Sequence, residues 1–576
     1  MAIILQKTNP CTTPQTYHLK TEDFSELVEG FTLSGNIVDL EKQELYSGRL
    51  HIAGGKIVRI ERGPVAETHY ILPGFIDAHV HVESSLLAPS AFARAAVKQG
   101  IVAAVADPHE IANVMGVAGV QYMLEDARSA GFKFFFGAPS CVPAAPADTS
   151  GATLDLFHVE QLLQRDDIYF LSEMMNYPGV LSDDPEVMGK IAAAKKCGKP
   201  VDGHAPGMSG NNLKKYVHAG ISTDHECEDI CEAEEKIDVG MKILIREGSR
   251  AKNFDQLYPL INRYPSSVMI CTDDCSPSDL LNGTLINILK KGLGKGLNFF
   301  NLLRALSWNT VNHYKLPVGL LRTGDFADCI VVDNLDDLTV LQTYINGEKV
   351  YDKEGKVPVN INKVQIINRF NASPIKKELL EVKKQSGNVR VIGLINKSLY
   401  TKSLVLPASI LQSSKEDTRL SSNVKEDILK VVVLNRYKQR TPPAIGFVQG
   451  FGWRQGALCT SIAHDSHNII AVGVNDDSLT QAMNTVIVNK GGIACYDGKQ
   501  TQFLSLPIAG LMSPEPAETV AQQYDALCRQ AVALGGLLDA PFMALSFLSL
   551  IVIPELKIFD RGLFDVSLFQ PVDLFV

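Results

Sequence analysis

The sequence has no excess of basic residues. Lysine and arginine number 55 against 64 aspartate and glutamate, which gives a formal net charge of -9. Proteins that bind the phosphate backbone of nucleic acids need clustered Lys and Arg that locally outweigh the acidic residues, and no basic stripe occurs along this chain. Nucleic acid is therefore not an expected partner.

Long hydrophobic runs are also missing. The most apolar late stretch, Phe547 to Ile553, stops at Pro554, far short of the roughly 20 residues that cross a bilayer. The first residues, MAIILQKTNPCTTPQ, show no basic segment followed by an apolar run and a cleavage site. Eleven scattered cysteines, an odd number, favour a reducing compartment. We expect a cytoplasmic protein with no membrane partner.

The composition is that of a folded protein, with 45% hydrophobic and 21% charged residues. A chain of 576 residues is long enough for more than one domain. Eight apolar runs, each followed by a helix-like stretch, lie between Ile71 and about Asn312. They are ILPGFIDAHVHV, GIVAAVADPHE, FKFFFGAPS, IYFLSEM, PVDGHAP, GISTDHE, MKILIREG and SVMICTDD. Eight consecutive βα units predict an α/β fold with a closed (β/α)8 barrel over residues 71–320.

Short strands with turn residues flank the barrel on both sides. Residues 31–70 and 324–355 have this pattern, so segments 1–70 and 321–358 are expected to form one composite β-sandwich that the chain leaves and re-enters. Residues 373–430 are rich in Lys, Glu and Ser, and strand-like segments then continue to the end. This change in pattern predicts an additional C-terminal domain over residues 359–576.

Side chains that bind metals recur at the predicted strand ends. They are His79, His81, Glu173, His204, His225 and Asp273. Residues two apart in an extended segment face the same side, so one ion can contact both histidines of an HxH motif. A carboxylate can bridge two ions through its two oxygens, and Glu173 precedes the second histidine pair. The same alternation predicts that only one of Asp273 and Asp274 points inward.

Each of these residues also has an ordinary structural interpretation, because a lone histidine at a strand end is usually a hydrogen-bonded core or surface residue. Six such residues at the ends of five strands favour a metal site. The two CxxxC spacings, Cys227/Cys231 and Cys271/Cys275, fit buried packing better than a structural zinc site. Near the end of the chain, His464, Asp465, His467 and Asn468 form either a metal-capable cluster or a polar turn, and turn propensity favours the turn.

Several motifs together carry a family resemblance. They are PGFIDAHVHVESS, DPHEIANVMG, EMMNYPGVL, DGHAPGMSGNNL, TDHE, REGSRAKN and TDD, with the later GDFADCIVVD, HDSHNIIAVG and LPIAGLMS. The chain resembles the adenine deaminases of bacterial type in the amidohydrolase superfamily. The resemblance implies hydrolysis of adenine to hypoxanthine and ammonia in purine salvage, with two divalent ions, Mn(II) or Fe(II), although Zn(II) is compatible with the same ligands. By the same resemblance, His79, His81 and Asp273 hold one ion, His204 and His225 hold the other, and Glu173 bridges them.

The expected chemistry assigns roles to further residues at the strand ends. Two cations sharing one water would lower its pKa toward neutrality, and Asp273 would move the proton from the water to the leaving amine. Glu83 and His109 are the other catalytic candidates. Asp107, Glu110 and Arg246 are candidates for contacting the purine edge or for supporting a metal ligand.

Other functions remain open at this point. A cytidine-type deaminase is excluded because its PCxxC zinc motif is absent. Another cyclic amide or amidine hydrolase would share the metals and differ in the pocket. A catalytically inactive scaffold barrel is the remaining alternative. A homodimer is the expected assembly for a barrel with appended domains.

Overall fold

The computed structural model describes residues 30–576 apart from 250, 356–363, 397 and 415. The first part of the predicted N-terminal segment and the predicted boundary between residues 358 and 359 lie outside these residues. Among the residues that the structure describes, every helix is too short or too polar to span a lipid bilayer.

The chain begins with four strands of a flanking sheet. They are β1 (Gly30–Asp39), β2 (Glu44–Ala53), β3 (Lys56–Arg62) and β4 (Tyr70–Pro73). The turn between β2 and β3 is Gly54–Gly55, and both residues have positive φ angles of 57° and 77°. Glycine adopts this conformation without steric cost, so these two residues can form the tight turn of the hairpin.

Eight parallel strands then form the barrel. They are β5 (Phe75–Val80), β6 (Ile101–Ala106), β7 (Lys133–Ala138), β8 (Ile168–Met174), β9 (Val201–Gly203), β10 (Thr223–Asp224), β11 (Lys242–Arg246) and β12 (Val268–Cys271). Each of the eight predicted runs contains one of them. Strands β5–β9 and β10–β12 are continuous parallel ladders. Bridges from Val201 to Ile221 and from Val80 to Asp273 join the ladders and close the barrel.

The first predicted run divides into two strands at Gly74. Its start, Tyr70–Pro73, is β4 of the flanking sheet, and only Phe75–Val80 belongs to the barrel. A Cβ atom on residue 74 would lie 2.3 Å from a methyl carbon of Val102. The close packing of the chain against β6 therefore requires glycine where it passes from one sheet to the other.

Helices alternate with the barrel strands. They are α1 (Pro89–Ala96), α2 (His109–Met115), α3 (Val117–Ala127), α4 (Leu156–Leu163), α5 (Tyr177–Leu181), α6 (Pro185–Lys196), α7 (Gly210–Ala219), α8 (Ile230–Asp238), α9 (Phe254–Leu257), α10 (Pro259–Arg263), α11 (Pro277–Asn282), α12 (Leu285–Gly294), α13 (Phe299–Leu303) and α14 (Asn309–Tyr314). Helix α6 shows how local sequence sets a start: the Asp184 carboxylate accepts from the amides of Glu186 and Val187, and Pro185 occupies the first turn.

After the barrel the chain returns to the flanking sheet. Strands β13 (Cys329–Val332), β14 (Val340–Ile345) and β15 (Glu348–Asp352) complete seven strands in the order β15-β14-β13-β4-β1-β2-β3. Strand β13 pairs antiparallel with β4. A bridge joins Lys56, at the start of the edge strand β3, to Phe326, just before β13, and the sheet curls around a small core that includes Ile37, Ile57 and Val331. The chain segments before and after the barrel therefore belong to one curled sheet.

The C-terminal region contains a second, mostly antiparallel sheet. Its elements are β16 (Val382–Lys383), β17 (Asn388–Leu394), β18 (Thr401–Pro407), β19 (Arg419–Leu420), β20 (Ile428–Leu434), β21 (Ala444–Gln449), β22 (Ala457–Thr460), β23 (Ile469–Gly473), α15 (Asp476–Val488), β24 (Gly492–Tyr496), β25 (Thr501–Ser505), α16 (Ala517–Ala533), α17 (Pro541–Ser546), β26 (Leu556–Phe559), β27 (Gly562–Asp565) and β28 (Gln570–Val572). Eight strands form the main sheet in the order β18-β17-β21-β20-β23-β22-β24-β25.

This region packs against the mouth of the barrel. The amide of Ser513 donates to the carbonyl of Leu86 at 2.8 Å, and the hydroxyl of Ser278 donates to Asp525 at 2.5 Å. Buried apolar side chains of the barrel and of β20, β23 and α17 belong to one continuous core. The face of the barrel where the strands end is thus covered by the C-terminal region.

Candidate active site

The first histidine pair lies at the end of β5 and faces two carboxylates. His79 is the fifth residue of the strand and His81 follows it directly. The Nε2 atom of His81 lies 3.2 Å from Glu173 Oε1 and 3.1 Å from Asp273 Oδ1. The corresponding distances from His79 Nε2 are 3.8 and 3.6 Å. All four side chains are buried, so two imidazoles and two carboxylates converge in one place.

The second pair, His204 and His225, follows β9 and β10. The Nδ1 atom of His204 lies 3.0 Å from Glu173 Oε2, and the Nε2 atom of His225 lies 3.5 Å from the same oxygen. The two oxygens of Glu173 therefore face different histidine pairs. Glu173 is the sixth residue of β8, whose inward-facing end places it between the pairs.

The two clusters fit divalent cations. Two ligand atoms that are each 2.0–2.2 Å from one ion in tetrahedral geometry are roughly 3.4 Å apart, and the distances above lie between 3.0 and 3.8 Å. Neither ring nitrogen of the buried His204 has a hydrogen-bond partner. The Nδ1 atom of His81 donates to the Asp107 carbonyl at 3.1 Å, which leaves its Nε2 lone pair for a metal. Burial lowers the pKa of His79 to about 3. Burial acts in the same direction on His81 and His225, but the carboxylates beside them raise the pKa of both imidazoles.

Asp273 lies beyond its strand rather than on it. Strand β12 ends at Cys271, and Asp273 has a φ angle of 57°, in the left-handed region. Its amide donates to the His79 carbonyl at 2.9 Å, which fixes the carboxylate beside the first histidine pair. Asp273 and Asp274 were expected to point to opposite sides because side chains alternate along a strand. That reasoning is wrong, because β12 ends at Cys271 and neither residue lies in an extended strand. Asp274 also borders the cavity, where it accepts from Ser84 Oγ at 2.5 Å.

Arg246, the last residue of β11, holds two carboxylates at the site. Its Nη1 donates to Glu226 Oε1 and to Asp273 Oδ2, each at 2.7 Å, and its Nη2 donates to Glu226 Oε2 at 2.9 Å. Burial favours the neutral acid, but Arg246 and His204 hold the pKa of Glu226 well below its usual range. Glu226 Oε1 also lies 3.5 Å from His204 Nδ1 and 3.4 Å from His225 Nε2. Sequence reasoning missed Glu226, although it directly follows His225.

Asp107 and His109 form a hydrogen-bonded pair after β6. The His109 Nδ1 atom donates to Asp107 Oδ2 at 3.0 Å and lies 3.6 Å from Glu173 Oε1. Burial opposes protonation of His109, yet Asp107 raises the pKa of the imidazole well above its usual value. This pair places an imidazole beside the bridging carboxylate, with Asp107 fixing its orientation.

Glu83 lies buried in the 3-10 turn Val82–Ser85. One of its oxygens accepts from the amide of Ile111 at 3.1 Å, and the other has no partner. Burial and the nearby Glu110 raise the pKa of Glu83 to about 7. The described residues that border the cavity include His109 and Glu110 but neither Glu83 nor Asp107. Glu83 and Asp107 thus lie behind the residues that line the cavity and do not border it themselves.

Glu110 contacts the C-terminal region directly. His464 Nδ1 donates to Glu110 Oε1 at 2.6 Å, and His467 Nε2 contacts Glu110 Oε2. Residues 464–467 form a turn, as the sequence favoured, and the turn also brings three metal-capable side chains to the barrel mouth. His464 and Glu110 are 354 residues apart in the chain, so the local sequence around either residue does not indicate this contact.

A small cavity lies over the cluster. Its barrel side is polar and includes His81, Glu173, His225, Arg246 and Asp273. Its opposite side comes from the C-terminal region and includes Leu399, His464, Asp465, Phe547, Leu550 and Ile553. The ring of Phe547 stacks on His464 with 4.4 Å between centroids. A small, flat molecule with polar edges fits such surroundings.

The cysteines near the site are separate from these ligands. Cys227, Cys271 and Cys275 are buried, and Cys231 is exposed. The thiol of Cys227 donates to Asp224 Oδ2 at 3.1 Å. Three of the four cysteines in the CxxxC spacings are thus part of the packed interior.

Sequence models of two protein families match the chain. The sequence model of the amidohydrolase family matches residues 70–350, and that of the adenine deaminase C-terminal domain matches residues 403–570. Among solved structures, a beta-aspartyl dipeptidase from Fervidobacterium islandicum aligns at a TM-score of 0.43 and 15% identity, covering 57% of this chain and 100% of that one.

Full-length relatives are much more similar. The adenine deaminase of Methanosarcina mazei is 49% identical over 94% of this chain and 99% of its own length. That of Salinibacter ruber is 49% identical over 95% and 99%, and that of Borreliella afzelii is 45% identical over 94% and 99%. Similarity at this level over both the barrel and the C-terminal region means that the chain belongs to the adenine deaminase family.

Proposed function

We propose that this protein hydrolyses adenine to hypoxanthine and ammonia with two divalent cations held by His79, His81, Glu173, His204, His225 and Asp273. The observation that carries the metal assignment is the buried convergence of four imidazoles on the two oxygens of Glu173. An inactive scaffold has no need for such a cluster, and its burial without cations would be costly. We propose that the protein acts in purine salvage, in the cytoplasm and as a homodimer.

The metals supply one part of the chemistry. When bound, two divalent cations would make water nucleophilic near neutral pH and polarise the group that it attacks. Nitrogen and oxygen ligands suit several first-row metals. We propose Mn(II) or Fe(II), with Zn(II) as a compatible alternative.

Asp273 is proposed to move the proton. Its Oδ1 lies at the first histidine pair, and its Oδ2 is held by Arg246 at 2.7 Å. A carboxylate fixed in this way can accept the proton of the attacking water and later deliver it to the departing amine. Arg246, a predicted substrate contact, is better placed to hold Asp273 and Glu226 in position.

Protonation of the purine ring needs a second group at the cavity. We propose that His109 supplies this proton, because its imidazole borders the cavity beside Glu173 and is oriented by Asp107. Glu83 would support it by binding the amide of Ile111, two residues further along α2. Glu110 remains a proposed contact for the purine edge.

Metal dependence is the first prediction. After removal of metal by a chelator, the protein is expected to lose deaminase activity and to regain it as two equivalents of Mn(II) or Fe(II) per chain are added. The physical reason is that each histidine pair with one oxygen of Glu173 forms a separate ligand set. Titration with activity and metal analysis of each sample measures the stoichiometry. Full activity at one equivalent, or in the metal-free protein, would contradict the assignment.

Substrate choice is the second prediction. Adenine is expected to be deaminated and adenosine is not, because the small cavity lies under a cover of apolar side chains from the C-terminal region and a ribose on N9 would collide with its wall. Ammonia release from a panel of purines and pyrimidines by Mn(II)-reconstituted protein tests this. Comparable turnover of adenine and adenosine would show that the expectation is wrong.

A further inference from the structure

The turn at residues 463–468 is an integral part of the cavity wall. His464 and His467 both contact Glu110, and the side-chain amide of Asn468 donates to the carbonyl of Thr149 at 3.0 Å. His467 has a φ angle of 52°, a conformation that a bulky residue rarely adopts without a surrounding structure that enforces it. The turn is therefore fixed against the barrel.

Asp465 is the residue of this turn that has an unused polar atom. It is 3% exposed, borders the cavity, and offers an oxygen within 4.8 Å of ligand atoms of His109 and Glu110. Its Oδ2 atom has no hydrogen-bond partner. Buried carboxylate oxygens normally accept a hydrogen bond from the protein or a ligand. An oxygen without one has lost its hydrogen bonds to water on burial and gained none in return. An unpaired oxygen at a cavity wall therefore indicates a ligand that donates a hydrogen bond.

The position of Asp465 suggests which part of the substrate it meets. The imidazole of His109 lies 3.6 Å from Glu173 at the metal cluster, and a ring nitrogen of His109 also lies within 4.8 Å of a carboxylate oxygen of Asp465. A purine whose C6 carbon faces the metal cluster would extend toward the C-terminal turn. The five-membered ring is the end of adenine that lies away from C6, and in the free base it carries one N–H group.

We propose that Asp465 accepts a hydrogen bond from the five-membered-ring N–H of the purine and thereby selects the free base over N9-substituted purines. The inference rests on the proposed deamination of adenine and names the residue behind its specificity. A purine with a substituent on N9 lacks this N–H and would leave the carboxylate buried and unpaired. Sites that hydrogen-bond a substrate NH typically reject analogues lacking it by about 10⁴–10⁵-fold.

A third cation bound by Glu110, His464 and His467 is the competing explanation of this cluster. The amide of Ala463 donates to His467 Nδ1 at 3.4 Å. This contact leaves the ring proton on Nε2, which faces Glu110. A proton in that position leaves no Nε2 lone pair for a metal bond. The geometry therefore favours Asp465 as a substrate contact.

The experiment compares adenine with 9-methyladenine in the wild type and in the Asp465→Asn and Asp465→Ala variants. Asparagine keeps the volume and removes the charge, and alanine removes the acceptor. Both substrates are assayed on one Mn(II)-reconstituted preparation, so the ratio of their kcat/KM values is independent of the folded fraction. Asp148→Asn is the matched control, because Asp148 adjoins the turn and lies on a different surface depression, with Asn435 and Arg561.

The proposal expects the wild type to prefer adenine strongly. The preference should fall about 10²-fold in Asp465→Ala and less in Asp465→Asn, mainly through slower adenine turnover, while Asp148→Asn keeps the wild-type ratio. An unchanged ratio in both Asp465 variants overturns the proposal, as does an adenine kcat/KM that both variants leave at the wild-type value. Three metals per wild-type chain, with the third retained in Asp465→Ala, would identify a cation site at Glu110, His464 and His467 instead. A wild type that deaminates no adenine would overturn the proposed function itself.

Discussion

Replacing Glu173 with glutamine is expected to remove metal and activity together. Glu173 Oε1 lies 3.2 Å from His81 Nε2, and Oε2 lies 3.0 Å from His204 Nδ1. Glutamine keeps one oxygen and replaces the other with an NH2 group that repels a cation. Loss of a group that merely supports a ligand costs about 10–100-fold in metal affinity or activity, so loss of the bridging ligand should cost at least about 10²-fold.

Metal analysis and steady-state deamination of the same samples test this expectation. Metal content should fall well below two per chain in Glu173→Gln. Glu83→Gln is the matched control, because Glu83 is equally buried, at 3% exposure, and its bound oxygen contacts a backbone amide. The control should retain both metals. Two metals at full occupancy in Glu173→Gln, with only slower chemistry, would show that Glu173 does not bridge.

The barrel was predictable because its strands are buried on both faces. Strand β6, IVAAVA, is buried at every position, and such continuous apolar runs followed by helical stretches are typical of parallel sheets. The convergence of the predicted ligand residues was predictable because the carboxyl ends of the strands meet at one face of a barrel. The division at Gly74 was missed, because an unbroken apolar pattern does not show where a chain passes from one sheet to another.

Residues that reach the site through distant packing were not predictable. The contact between His464 and Glu110 joins positions 354 residues apart, and a polar turn gives no local indication of its partner. The same holds for Asp465, whose role depends on where the C-terminal region docks. Glu226 is different, because it directly follows the predicted ligand His225 in the TDHE motif. A carboxylate at that position, with Arg246 at the end of the next strand as a partner of opposite charge, was a usable signal.

Asp273→Asn is expected to reduce the rate while leaving the metal centre largely assembled. Asparagine tolerates the left-handed φ of 57° at this position, so the backbone that links residue 273 to His79 should persist. The amide cannot accept the proton of the attacking water. Loss of a positioned acid–base group typically lowers the rate by about 10²–10⁴-fold, and we expect a decrease in kcat within this range.

Asp274→Asn is the comparison that makes this result specific. Asp274 also borders the cavity, but its carboxylate accepts from Ser84 Oγ, whereas Asp273 Oδ1 lies 3.1 Å from His81 Nε2. The Asp274 variant should therefore lose much less activity, through local hydrogen bonding alone. Both variants are assayed for adenine deamination at matched metal content, because a ligand change can lower occupancy as well as chemistry. A larger loss of kcat in Asp274→Asn would assign the proton transfer to Asp274, and Asp273 would then be a metal ligand only.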